Sequence, residues 1–171
     1  ETIALARRLQ GDLRTVVVVS DGTPTGRGQR DMVRQASRQY PTLRFEFVNG
    51  EDVSTEEMLR RLTSLPPEAA VLVTVWLRDR DGRYLPYEEL YPRISRAAPV
   101  PTYVLTDLWL GHGPLGGKLN GGGIQGAAAA EMAIPILRGQ VAPGQMPPVR
   151  MESPNRYMFD YRQLRRFQID E

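Results

Sequence analysis

The hydrophobic pattern of this chain has two periods that alternate. Residues 16–19 are four consecutive valines, and residues 70–76 read AVLVTVW. Neither run alternates with polar residues, so both predict strands covered on two faces, as central parallel strands are. Residues 43–48 (LRFEFV) do alternate, as an edge or near-edge strand does. Residues 100–106 (VPTYVLT) predict a further strand with Pro101 at its start.

Between these runs the period changes to that of a helix. Residues 1–13 place Ile3, Leu5, Ala6, Leu9 and Leu13 on one face, with Gly11 loosening the end. Residues 29–40 place Met32, Val33, Ala36 and Tyr40 inward, and Pro41 stops the helix. Ser54 followed by Glu57 fits a capping box that opens a helix burying Met58, Leu59, Leu62 and Leu65. Residues 87–97 carry Leu90 and Ile94. The series is helix, then strand-helix three times, then strand. It predicts an α/β, three-layer fold around a mostly parallel, flavodoxin-like sheet of order 2-1-3-4 plus later strands.

The last third reads differently. Residues 110–126 (LGHGPLGGKLNGGGIQG) are glycine-rich, and a helix over 124–138 follows, with Pro135 distorting its end. Residues 139–148 form a Pro/Gly loop. A short strand over 156–159 and a closing helix over 161–167 complete the pattern.

Composition narrows the function classes. Hydrophobic residues make up 41% and charged residues 25%, ordinary for one globular domain of 171 residues. Twenty-two basic against 20 acidic residues leave a net charge of +2, too balanced for a nucleic-acid binder. Lys118 is the only lysine, and the arginines are scattered over helical faces. With no cysteine there are no disulfides or thiolate metal sites. No run reaches the roughly 20 apolar residues of a membrane helix, and no signal peptide is visible. The start at Glu1, without a methionine, reads as a piece of a longer protein.

Catalytic signatures fare poorly. The stretch 121–126 matches GxGxxG, but it follows the fourth strand rather than the first, and Met146 stands where an acid is needed. Lys118 lacks a Gly-Lys-Ser/Thr context. A phosphoacceptor receiver needs acids and a lysine at strand ends that this chain does not place there. Ser20 lacks the GxSxG elbow, and His112 is the only histidine. Asp79 and Asp81 are too few acids for a calcium loop. The expectation is no catalytic residues, no metal and no cofactor.

What remains is a rim at the carboxyl ends of the strands. Ser20, Asp21, Thr23 and Thr25 come from the first, Trp76 and Arg78 from the third, Asp107 and Trp109 from the fourth. Aromatic faces with a few convergent polar groups line small-molecule sites. Two roles fit the aspartates, ligand contact or capping of the following helix or loop. Two fit the tryptophans, ligand contact or packing.

The segments VVVVSDG, LPPEAAVLV, PVPTYVLTD, GGGIQGAAAAEMAIPILRG and SPNRYMFDYRQLRRFQI together resemble type I periplasmic-binding-protein folds. The likeness is greatest to the branch, related to transporter substrate-binding proteins, that forms the extracytoplasmic sensor region of bacterial membrane histidine kinases. It spans nearly the whole chain. The resemblance implies the second lobe of a two-lobe protein that closes on a small ligand across a hinge. Residues 1–112 would be the lobe core, 113–139 a crossover and helix belonging to the other lobe, and 140–171 a return segment. His112 and Gly113 would lie at the hinge. It further implies a periplasmic, membrane-anchored parent, a ligand-linked signal to a kinase, and a helix near Ile124 that packs on the core, on residues 1–13 or on a second copy in a homodimer. The rivals are a soluble substrate-binding protein of an ABC-type transporter, an enzyme on a flavodoxin-like sheet, and a lobe kept for dimerisation or protein interaction.

Overall fold

The computed structural model describes residues 1–145 and 152–169. Five strands run parallel: β1 (Thr15–Ser20), β2 (Arg44–Asn49), β3 (Ala69–Val75), β4 (Thr102–Val104) and β5 (Gly116–Leu119). A sixth, β6 (Arg156–Phe159), pairs antiparallel with β5, and the sheet order is β2-β1-β3-β4-β5-β6. The helices are α1 (Thr2–Leu9), α2 (Pro24–Ser37), α3 (Thr55–Leu62), α4 (Tyr87–Ala97), α5 (Gly122–Leu137) and α6 (Tyr161–Arg166). This is the α/β, mostly parallel architecture that the two periods predict.

The unbroken valine run has the reason inferred for it. Val17 and Val19 enter one core cluster with Met58 and Leu62 of α3 and Leu90, Tyr91 and Ile94 of α4. Val16 and Val18 enter the other, with Ile3 and Ala6 of α1, Val33 of α2 and Leu164 of α6. β3 is buried at all seven positions. β2, at the sheet edge, is mostly half-buried, which suits its alternating pattern.

Several boundaries differ from expectation. The first helix ends at Leu9 rather than at 13, and Leu13 reaches the core from the turn beyond it. α2 starts at Pro24, five residues early. Thr23 accepts from the Gly26 N–H, and Pro24 occupies the first turn, where its fixed φ suits a helix and its missing N–H costs nothing. Met32, expected inward, is 70% exposed. α4 matches its expected span, and Ser54 caps α3 by accepting from the Glu57 N–H.

The larger difference is β5. The glycine-rich stretch was expected to leave the sheet as one crossover, but it divides at Gly121. Residues 116–119 stay as the fifth strand, and only the chain from Gly121 onward departs. Gly116 makes this possible: its φ is +132°, and a Cβ there would overlap the Met158 carbonyl oxygen on β6. α5 then stands away from the core. Of its sixteen residues only Ala128 is buried, and Leu137 is 83% exposed.

Candidate ligand site

Parallel strands in this order bring the ends of β1, β3 and β4 to one side of the molecule, where ligands bind in open α/β sheets. Asp21 follows β1 directly and is fully buried. Its Oδ1 accepts from the Thr23 N–H (3.0 Å) and the Thr23 hydroxyl (2.5 Å), and its Oδ2 accepts from the Leu77 N–H (2.6 Å). The carboxylate therefore closes the β1–α2 turn and ties it to the chain leaving β3. Gly26 lies so close that a Cβ would overlap this carboxylate. Ser20 is buried, and its hydroxyl has no partner among the described residues. Thr23 is half-buried, and Thr25 and Arg78 are exposed.

Trp76 is also turned into protein. It is buried, and its indole N–H donates to Thr55 Oγ1 (3.2 Å) at the start of α3. The Thr55 hydroxyl and N–H both donate to Asp79 Oδ2, at 3.0 and 2.9 Å. Asp79 Oδ1 accepts from the Asp81 and Arg83 N–H groups. Burial opposes the charge on Asp79, but these hydrogen bonds outweigh it and hold the carboxyl below the ordinary aspartate range. Sequence reasoning weighed Asp79 as a receiver-type acid and as a calcium ligand, and missed this role. The signal was an aspartate two residues before an Asp-Gly turn, a pattern that organises its own loop.

Asp107 opens a single 3-10 turn over Asp107–Trp109. It is half-buried, and its carboxylate lies where a Cβ on Gly121 would sit. Its N–H donates to the Asn120 carbonyl (3.0 Å), fastening the end of β4 to the end of β5. Trp109 is buried and stacks on Tyr91, with ring centres 4.5 Å apart and planes 20° apart. His112 meets the Tyr87 ring edge-on at 5.3 Å. Gly113, at φ +113°, accepts from the Ser95 hydroxyl (2.6 Å). His112 and Gly113 thus sit in the turn leading into β5, and the chain departs eight residues beyond Gly113, at Gly121.

A cavity of about 500 Å³ opens between α1 and α2, above the ends of β3, β4 and β5. Leu72 and Thr74 of β3, with Leu105 and Thr106 after β4, line it from the sheet. Ile3 and Val33 line it from the helices, and the exposed Met32 borders it. Trp109 is the one member of the expected rim that lines it. The other polar lining groups include Asn120, Asn155 and Gln29, which sequence reasoning passed over. The visible signal was Thr74, a lone hydroxyl inside an otherwise apolar strand. It is buried and donates to the Val19 carbonyl (3.3 Å).

Three passages of the chain meet beside this cavity. Glu1, at the start of α1, forms an ion pair with Lys118 of β5. That hydrogen bond lowers the Glu1 pKa and raises that of Lys118. The Lys118 N–H also bonds to the Thr2 hydroxyl (3.2 Å). Gln125 of α5 donates to Asn155 Oδ1 (3.1 Å), just before β6. Among the described residues no three or more His, Asp or Glu side chains are grouped to hold a metal ion, and no helix is long and apolar enough to cross a membrane.

No protein-family model matches this chain, and no curated protein does. Among solved structures it is similar to the ligand-free, open structure of CD0873, a substrate binding protein with adhesive properties from Clostridium difficile. The TM-score is 0.75 at 15% sequence identity, and the match covers 99% of this chain and 55% of that one. The chain thus spans about half the length of this neighbour and shares its fold over that span.

Proposed function

We propose that this chain is a non-catalytic small-molecule-binding lobe of a two-lobe extracytoplasmic receptor, serving as the sensor region of a bacterial two-component histidine kinase. One observation carries the binding reading: the cavity at the carboxyl ends of the parallel strands. Its volume falls within the roughly 300–1,000 Å³ of small-molecule sites, and its walls combine apolar side chains with a few polar ones. The meeting of three chain passages at Glu1, Gly121 and Asn155 supports a hinge at that edge. α5, attached beyond Gly121 and scarcely buried, then belongs to the packing of the other lobe. The share of the structural neighbour left unmatched is of the size such a lobe requires. Ligand contacts made only in the closed state shift the open-closed equilibrium, and that shift is the signal.

A second reading is a soluble substrate-binding protein of an ABC-type transporter. It is favoured by the structural neighbour, which is a substrate binding protein. Both readings place the site outside the cytoplasmic membrane and differ only in what the closed state engages. The test is a thermal-shift screen of small metabolites on the two-lobe parent. A defined chemical class should raise Tm, since a ligand that binds only the folded state stabilises it; silence across a broad library overturns both readings. Kinase autophosphorylation that follows the same ligand selects the sensor, and ligand uptake lost on deletion selects the transporter component.

A further inference from the structure

Among the described residues two charged groups line the cavity, Glu1 and Lys118, and they bind each other. The Lys118 ammonium also lies 5.6 Å from the centre of the Tyr157 ring. An anion entering the cavity must therefore take Lys118 from Glu1, and a cation must take Glu1 from Lys118. The pair lies partly in water, with Glu1 57% exposed, so either exchange trades one ion-pair contact for another, and an entering ion gains no net pairing to offset the loss of its own hydration beside the apolar wall. The remaining polar groups are hydroxyls and amides, which offer donors and acceptors but no net charge. Gln29 Oε1 has no hydrogen-bond partner among the described residues. Asn155 receives one bond at Oδ1 from Gln125, which leaves its amide N–H groups for other acceptors. Trp109, held by its stack on Tyr91, adds a fixed aromatic wall.

We propose that this cavity selects an uncharged, mainly apolar small molecule oriented by hydroxyl and amide side chains, with the closed Glu1–Lys118 pair at its rim excluding ions. The inference rests on the reading of the cavity as the ligand site, and it assigns that site a ligand class and a selectivity element.

The experiment uses the 171-residue chain with an acetylated N-terminus, so that the α-amine adds no charge beside Glu1. Three probes of one shape are titrated at pH 7: 2-naphthalenemethanol, 2-naphthoate and 2-naphthylmethylammonium. The readout is the NMR signal of the Trp109 indole N–H, assigned by Trp109→Phe, with that of Trp76 as the internal control. The alcohol should shift Trp109 and leave Trp76 in place, and each ion should bind about tenfold more weakly. In Glu1→Gln the ammonium of Lys118 is released, so the affinity for 2-naphthoate relative to that for the alcohol should rise about tenfold. Ions that bind the parent chain within about threefold of the alcohol, or no gain for 2-naphthoate in Glu1→Gln, overturn the charge selection and leave the cavity as a site. No shift of Trp109 with any probe removes the site itself, and the inference with it.

Discussion

The Leu77 N–H donates to Asp21 Oδ2 at 2.6 Å, joining the exit of β3 to the exit of β1 through a fully buried carboxylate. The same carboxylate holds the Thr23 N–H and hydroxyl, and Thr23 in turn caps α2. One side chain thus sets the spacing of two strand ends and the start of a helix, the scaffold beneath the cavity. Asp21→Ala takes the acceptor away from the Leu77 N–H and from the Thr23 N–H and hydroxyl. Hydrogen bonds to charged groups contribute about 1.5–3 kcal/mol each, so losing all three is expected to cost about 4 kcal/mol or more in urea unfolding. A loss under about 1 kcal/mol would show that Asp21 is not the fastening described.

Asp79 gives the acid side of the stability profile a definite sign. Its folded-state pKa lies below the ordinary value of 3.8, so the unfolded chain takes up a proton at higher pH than the folded one. The stabilisation is fully present above the unfolded value and drains away as pH falls through the lower folded value. Asp160, buried and bonded by the Arg162 guanidinium, acts in the same direction, although burial again opposes its charge. Asp79→Asn should be less stable at pH 6 and should flatten the fall in unfolding free energy below pH 4. Parallel acid limbs in the two proteins would contradict this assignment.

Gly116 is where the hydrophobic pattern stopped being informative. Strand order, the two buried runs and the capped α3 could be read because each turns on side-chain chemistry: apolar groups to fill two cores, and Ser54 with a free oxygen. β5 offers no such pattern. Its sequence is Gly-Gly-Lys-Leu, and what makes it a strand is close approach of backbone to backbone, which composition reports only as flexibility. The site shows the same limit in another form. The pattern placed Asp21, Trp76 and Asp107 at strand ends, but the direction of each side chain depends on where Leu77, Thr55 and Gly121 come to rest, and these are tertiary facts.

A direct check on β5 is Gly116→Ala. A methyl group meets the Met158 carbonyl, and the residue must also keep φ at +132°, a conformation that costs an L-residue about 1–3 kcal/mol. Total destabilisation of about 3 kcal/mol or more is expected in chemical denaturation, with loss of amide protection in residues 156–159. Gly122→Ala is the control. Its added Cβ meets nothing, and alanine is the better helix former, so the change should be neutral or slightly stabilising.

The contrast between α4 and α5 allows a sharper prediction about how stability is distributed. Leu90, Tyr91 and Ile94 of α4 are completely or almost completely buried under the sheet. Truncating such a side chain removes its transfer energy and leaves a cavity, so Leu90→Ala should cost about 2–5 kcal/mol. α5 is longer and more apolar, but it buries only Ala128, and Ile134 and Leu137 are 42% and 83% exposed. Replacing both by glutamine removes little buried surface, and surface changes of this kind usually stay within about 0.5 kcal/mol each. The 171-residue chain should therefore unfold in denaturant almost unchanged by the double substitution. Native-state hydrogen exchange should show α5 opening well before α4, because local stability follows the apolar contacts an element makes. If Ile134→Gln/Leu137→Gln costs as much as Leu90→Ala, those side chains are covered in solution by something other than this chain's own core.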